Sequence, residues 1–177
     1  MTEVVIDTNV LAVANGAHAH VSPTCVRACV EHLQRARQGC VIVLDDRYRI
    51  LREYLRNANA NGGRRAGDAF LKWLLQNKAN PARVHYVSLT ELSKDSFVEF
   101  PDATLQPTFD PSDRKFPAVA NAHPGKPTIW QAVDSKWLAW WQPLAAAGVQ
   151  VMFLCPADIC TFFKSTFSGQ PVPPLPP

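Results

Sequence analysis

Short aliphatic runs alternate with longer stretches of helical periodicity along this chain, and each run that reads as a buried strand ends on an acid. Val4-Val5-Ile6 leads into Asp7, Val41-Ile42-Val43-Leu44 into Asp45 and Asp46, and Ile129 through Val133 into Asp134. Strand–helix alternation is the pattern of βαβ units and a parallel sheet. The pattern predicts strands at Val4–Asp7, Cys40–Leu44, Val84–Leu89, Thr128–Val133 and Val149–Leu154. Helices are predicted from Pro23 to Gln38, Asp46 to Asn59 and Arg64 to Asn77. A short one is expected near Thr90–Phe97, another within Pro111–Ala122, then Lys136–Ala147 ended by Gly148, and a last one from Pro156 to Thr166. The fold class this implies is α/β with a central parallel sheet of about five strands. Residues 1–167 form one domain, and the proline-rich tail 168–177 is extended or disordered, with a P-x-x-P spacing that could serve a polyproline-binding partner.

In an open parallel sheet the carboxyl ends of the strands converge on one edge, so the acids that close the runs gather at one place. Crowded carboxylates repel and persist where something cationic shares the site. A divalent metal is the economical partner.

Composition narrows this only in part. A length of 177 residues fits one domain with a real core. The net charge of +3 names no partner by itself, so the placement of the basic residues matters more. Cys25, Cys29, Cys40, Cys155 and Cys160 are odd in number and contain no C-x-x-C pair. A disulfide framework is therefore not expected, and buried free thiols in a reducing compartment are; Cys25 and Cys29, four apart, suggest zinc only weakly. No apolar stretch reaches the ~18–20 residues of a membrane span, and no signal segment opens the chain, so a soluble cytoplasmic protein without a membrane partner is expected.

Four places carry candidate chemistry. Asp7-Thr8-Asn9 puts a carboxylate, a hydroxyl and an amide at the mouth of the sheet, although the same residues serve turns and helix caps. Glu53 falls on the border between the stripe Ile50, Leu51, Tyr54, Leu55 and the face Arg49, Arg52, Arg56, where it either reaches the sheet edge or pairs with Arg49 or Arg56 in solvent. In Asp110-Pro111-Ser112-Asp113-Arg114-Lys115-Phe116, Asp110 is the natural helix cap and Asp113 shares the inward face of Phe116 and Ala120. Pro117 disfavours helix at Phe116, so this helix is kinked or starts later. Asp134-Ser135 follows a strand, and Ser135 can cap the helix behind it. Trp137, Trp140 and Trp141 read as the packing face of that helix.

Taken together, the order of these acids resembles the PIN-domain ribonucleases over Val4 to about Phe163. The sharpest parts are Val5-Ile6-Asp7-Thr8-Asn9, the Asp113-Arg114-Lys115-Phe116 start with Ala118, Val119 and Ala120 behind it, and Val133-Asp134-Ser135. The resemblance implies a three-layer α/β/α sandwich and a metal-dependent endoribonuclease in which Asp7, Glu53, Asp113 and Asp134 are the catalytic quartet. Asp7, Asp113, Asp134 and Glu53 would hold Mg²⁺ or Mn²⁺. Asn9 would order the first acid, with Thr8, Asp110 and Ser135 in support. Arg49, Arg52 and Arg56, with Arg47, Arg64 and Arg65 nearby, would track RNA phosphates, or else form a solvated helix face. A VapC-like toxin role would add an antitoxin protein in the groove and a homodimer. The alternative is a catalytically idle PIN-like module that binds RNA or protein. An aspartate-based phosphohydrolase would want a second acid two residues after the first, where this chain has Asn9.

Overall fold

The computed structural model describes residues 2–177. Five parallel strands form the central sheet: β1 (Thr2–Ile6), β2 (Cys40–Asp45), β3 (Val84–Val87), β6 (Thr128–Gln131) and β7 (Val151–Phe153), in the order β3-β2-β1-β6-β7. A separate antiparallel hairpin joins β4 (Glu91–Ser93) and β5 (Ser96–Phe97). Seven helices, α1 (Thr8–Ala14), α2 (Pro23–Gly39), α3 (Arg49–Asn57), α4 (Ala66–Asn77), α5 (Lys115–Ala122), α6 (Trp137–Ala146) and α7 (Pro156–Thr166), flank the sheet in a three-layer α/β/α sandwich. All six residues of β2 are buried, and Val4, Val5 and Ile6 of β1 are fully so. Strands that lose both faces to helices need continuous apolar runs, which is why these segments do not alternate.

The strand order decides where the site lies. From central β1 the chain first builds outward through β2 and β3, then returns to add β6 and β7 on the other side. The crevice between the carboxyl ends of β1 and β6 is therefore the switch point at which open α/β sheets bind ligands. Asp7 leaves β1 there, its N–H still donating to the Trp130 carbonyl of β6 at 2.9 Å.

Several local expectations are corrected. The chain turns helical directly after β1, forming α1, whose apolar residues face packed neighbours on several sides. α3 begins at Arg49 rather than Asp46, because the buried Asp45 carboxylate accepts the N–H groups of Arg49 at 2.8 Å and Ile50 at 3.0 Å. Asp45 thus ends its strand as a structural cap and stays outside the site, while Leu55, placed in the buried stripe, is 49% exposed. Near Thr90–Phe97 the hairpin replaces the expected helix; the Gln106 amide supplies strand-like bonds, accepting the Phe97 N–H and donating to its carbonyl. α5 starts at Lys115, so Pro117 falls in its first turn, where proline is tolerated. Trp137 and Trp140 are buried, with Phe109 stacked on Trp140 at 4.0 Å, as packing residues should be.

The cysteines also depart from expectation. Cys25 in α2 and Cys155 before α7 form a disulfide, with Cα atoms 5.0 Å apart. An odd count does not forbid one bond, and a separation of 130 residues leaves no local spacing to read. Asp158 fastens the same junction, accepting the Ser22 N–H at 2.6 Å and its hydroxyl at 2.8 Å. The cysteine count therefore no longer argues for a reducing compartment. No helix among the described residues is long and apolar enough to cross a membrane. The tail is extended and docked: the Trp141 indole donates to the Pro174 carbonyl at 2.8 Å, and Leu175 to Pro177 lie against edge strand β7.

α4 approaches α1 closely at Gly67, where an added Cβ would stand 2.5 Å from the Leu11 carbonyl and 2.8 Å from Asn15 Oδ1. A Cβ at Gly39, the last residue of α2, meets nothing within 4 Å. Two glycine-to-alanine substitutions should then have opposite signs in denaturant melts. Gly67→Ala should lower stability by about 1–3 kcal/mol through overpacking, whereas Gly39→Ala should raise it by about 0.4–1 kcal/mol.

Candidate active site

Four segments deliver acids to one cleft at the switch point. Asp7 comes from the end of β1, Glu53 from the middle of α3, Asp113 from the turn before α5 and Asp134 from the turn after β6, and all four line a cavity of about 630 Å³. Thr8, Asn9, Ser135, Lys136 and His18 share its wall. Asp7 is the helix cap of α1, its carboxylate accepting the Asn9 N–H at 2.9 Å. The Asn9 amide then bridges to the other side of the crevice: it donates to the Gln131 side chain and accepts the Ala132 N–H at 2.9 Å. Asn9 therefore orders the first acid and ties it to the strand that leads to the last.

The supporting residues divide. Thr8 is buried, and its hydroxyl has no hydrogen-bond partner while lining the cleft. Ser135 is buried in the wall but does not cap α6; the Asp134 carboxylate takes the Lys136 N–H at 3.2 Å instead. Asp110 is outside the cleft wall, half-exposed and ion-paired with Lys136. Among the arginines, Arg49 is committed to structure, pairing with Asp45 and Glu91 and lying over the Phe97 ring at 5.3 Å. Arg52 is exposed, and Arg56 joins Arg64 and Arg65 around an adjoining hollow of about 560 Å³ that meets the acidic cleft at Asn57.

Lys115 also belongs to the site, without a signal in the sequence pattern. Its ammonium is buried in an ion pair with Glu53, which therefore pairs with neither Arg49 nor Arg56. A helix-start lysine reads as solvent-facing, and nothing near it in sequence reveals an acid on α3. Lys136, next to Asp134, is the second cation, and the carboxylates hold its pKa up: burial works against its charge, but the Asp110, Asp134 and Asp113 carboxylates outweigh it.

Even so, the acids outweigh their counterions. Burial, followed by the charges of Asp113, Asp134 and Glu53, pushes Asp7 well above the usual carboxylate range. Asp113 is pushed up to about 7 by burial and then by Asp134, against the pull of Lys115 and Lys136. Burial also raises Asp134.

An all-oxygen donor set with a buried, unpartnered Thr8 hydroxyl suits a hard divalent ion such as magnesium or manganese. No three acids of the quartet bring their oxygens within 4.8 Å of one another. The fit is thus to an ion that keeps several of its waters, which magnesium does. No family model matches the chain. No curated protein matches it, and no solved structure does.

These raised acids fix a pH dependence. Between an unfolded value of 3.8 and about 7 for Asp113, the folded chain binds more protons than the unfolded one, so stability falls as pH rises through that window. With a chelator present, the melting temperature should be higher near pH ~5 than near pH ~8. Asp113→Asn should flatten this trend in paired melts; a trend unchanged by the substitution would remove Asp113 as its source.

Proposed function

We propose that this chain is a metal-dependent endoribonuclease, hydrolysing RNA phosphodiester bonds through Asp7, Glu53, Asp113 and Asp134. The observation that carries this is the gathering of those four acids, from four separate segments, into one cleft at the sheet's switch point. Magnesium or manganese held by Asp7, Asp113 and Asp134 would supply a water acidic enough to attack and charge neutralisation on the phosphate. Glu53, fixed by Lys115, would orient that water and accept its proton. Lys136 would offer a positive charge to the departing oxygen side of the phosphate. Arg56, Arg64 and Arg65 offer a basic track for the strand on one side of the cleft.

A toxin-like role follows as the biological setting: an antitoxin segment carrying a basic side chain would enter the same acidic cleft and pack on Phe162 and Ala12 beside it. A toxin nuclease of this kind would act on cellular RNA in the cytoplasm. The burial of both cysteines of the Cys25–Cys155 bond would there limit its access to soluble thiols.

One observation favours a second reading, an idle module that binds RNA or protein. Lys115 already pairs with Glu53 inside the cleft, so part of its acidic charge is met without a metal.

Cleavage of a mixed pool of end-labelled RNAs with added Mg²⁺ or Mn²⁺ separates the two. The nuclease requires that Asp7→Asn and Asp134→Asn cost more than the about 10–100-fold that loss of an outer-shell partner costs, and that chelator abolish cutting. Folded protein that binds RNA without cutting it, unaffected by Asp7→Asn, would establish the idle module instead.

A further inference from the structure

A second cluster of ligand-bearing side chains lies at the opposite end of the sheet from the acidic cleft. Glu3 near the start of β1, His85 of β3 and His123 immediately after α5 each bring one ligand atom to within 4.8 Å of the other two. Glu3 Oε1 is 3.3 Å from His85 Nδ1, Glu3 Oε2 is 3.4 Å from His123 Nδ1, and His85 Nδ1 is 3.2 Å from His123 Nε2. Those distances use both nitrogens of His123 and both oxygens of Glu3; one ligand atom from each residue lies within 4.8 Å of the other two, against roughly 3.3 Å around a tetrahedral ion with bonds of ~2.0–2.1 Å, so side-chain rotation has to close the set. Glu3 precedes Asp7 by four residues of extended strand, about 13 Å at ~3.3 Å per residue, so the two sites are separate.

With both imidazoles neutral, the hydrogen bonds leave room for a cation in this cluster. The Gly125 N–H donates to His123 Nδ1 at 3.1 Å, so in a neutral ring that nitrogen carries a lone pair and the proton sits on Nε2. Nε2–H then points at His85 Nδ1, which must also act as acceptor. With both rings neutral, the nitrogens that face the Glu3 carboxylate present lone pairs to its oxygens, an arrangement that a cation shared among the three residues would satisfy. Moving the proton to His123 Nδ1 sets it against the Gly125 N–H instead. Gly125 also keeps the space free: a Cβ there would collide with Glu3 Oε2. His85 and Glu3 are 37% and 26% exposed at their side chains, which leaves a path for an ion and for solvent.

We propose that Glu3, His85 and His123 bind one divalent transition ion of the zinc class, with a remaining coordination position open to water or to a ligand from outside the chain. Imidazole ligands select zinc-class ions, whereas the all-oxygen cleft suits magnesium or manganese, so the two sites differ in metal preference. Binding would pin β1, β3 and the end of α5 together, on the helix whose first turn carries Lys115. This proposal does not depend on the nuclease reading.

The test is a Zn²⁺ titration of the disulfide-bonded chain by calorimetry with excess Mg²⁺ present, repeated with Co²⁺ and read by absorbance. One equivalent should bind, raise the melting temperature, and give cobalt d–d bands without thiolate charge transfer. His85→Ala and Glu3→Gln should each weaken binding by about tenfold or more, while Asp7→Asn and Cys29→Ser leave it unchanged. His85 is partly exposed, so its substitution should retain the fold, which melts in chelator would verify. Absence of binding, binding unaltered in folded His85→Ala, or loss of the ion in Asp7→Asn or Cys29→Ser would each overturn the assignment.

Discussion

Several carboxylates held at the switch point of a buried parallel sheet cannot all keep their charge without a cation close by. Asp7 is 5% exposed, and its neighbours raise its pKa as burial does. The chain tolerates this because of how the crevice is built. Asp7 caps α1, and Asn9 clamps the end of β1 to β6 through Gln131 and Ala132. Loosening that clamp would let the sheet edge open and relieve the repulsion, so the electrostatic load and the amide bridge that resists it belong together.

Two lysines share the load unequally. Lys115 is buried against Glu53 and lies close enough to lower the pKa of Asp113, while the half-exposed Lys136 divides its charge between Asp110, Asp134 and Asp113. Both come from turns that begin a helix, and in α5 the delayed start at Lys115 is what turns the lysine inward. Neither cation brings Asp7 or Asp113 back to the ordinary carboxylate range. That residual repulsion is the physical opening for a divalent ion.

Where local chemistry and tertiary packing agree, the sequence is easily read. α7 begins at Pro156 and ends at Thr166 as predicted, since proline suits a first helical position and its apolar residues recur on one face. β1 and β2 are legible because double-sided burial demands aliphatic runs. α1 leaves no helical signal in the sequence because after Asn9 the segment to Ala14 is wholly apolar and shows no polar face. Arg49 reads as one of a solvated arginine stripe; the hairpin that brings Glu91 over it cannot be foreseen from α3. Lys115, the Cys25–Cys155 bond and the Glu3–His85–His123 cluster share a reason for being hidden, since each joins residues far apart in sequence with no spacing to announce them. The acids of the cleft are legible only through their order along the chain.

The most direct measurement is anomalous diffraction from crystals of the chain grown with Mn²⁺. The account predicts a manganese peak in the cleft, bonded to oxygens of Asp7 and of Asp113 or Asp134, with the Thr8 hydroxyl in contact with the ion or one of its waters. A well-ordered cleft without manganese, in which Lys115 and Lys136 are the only cations facing the four acids, would contradict it.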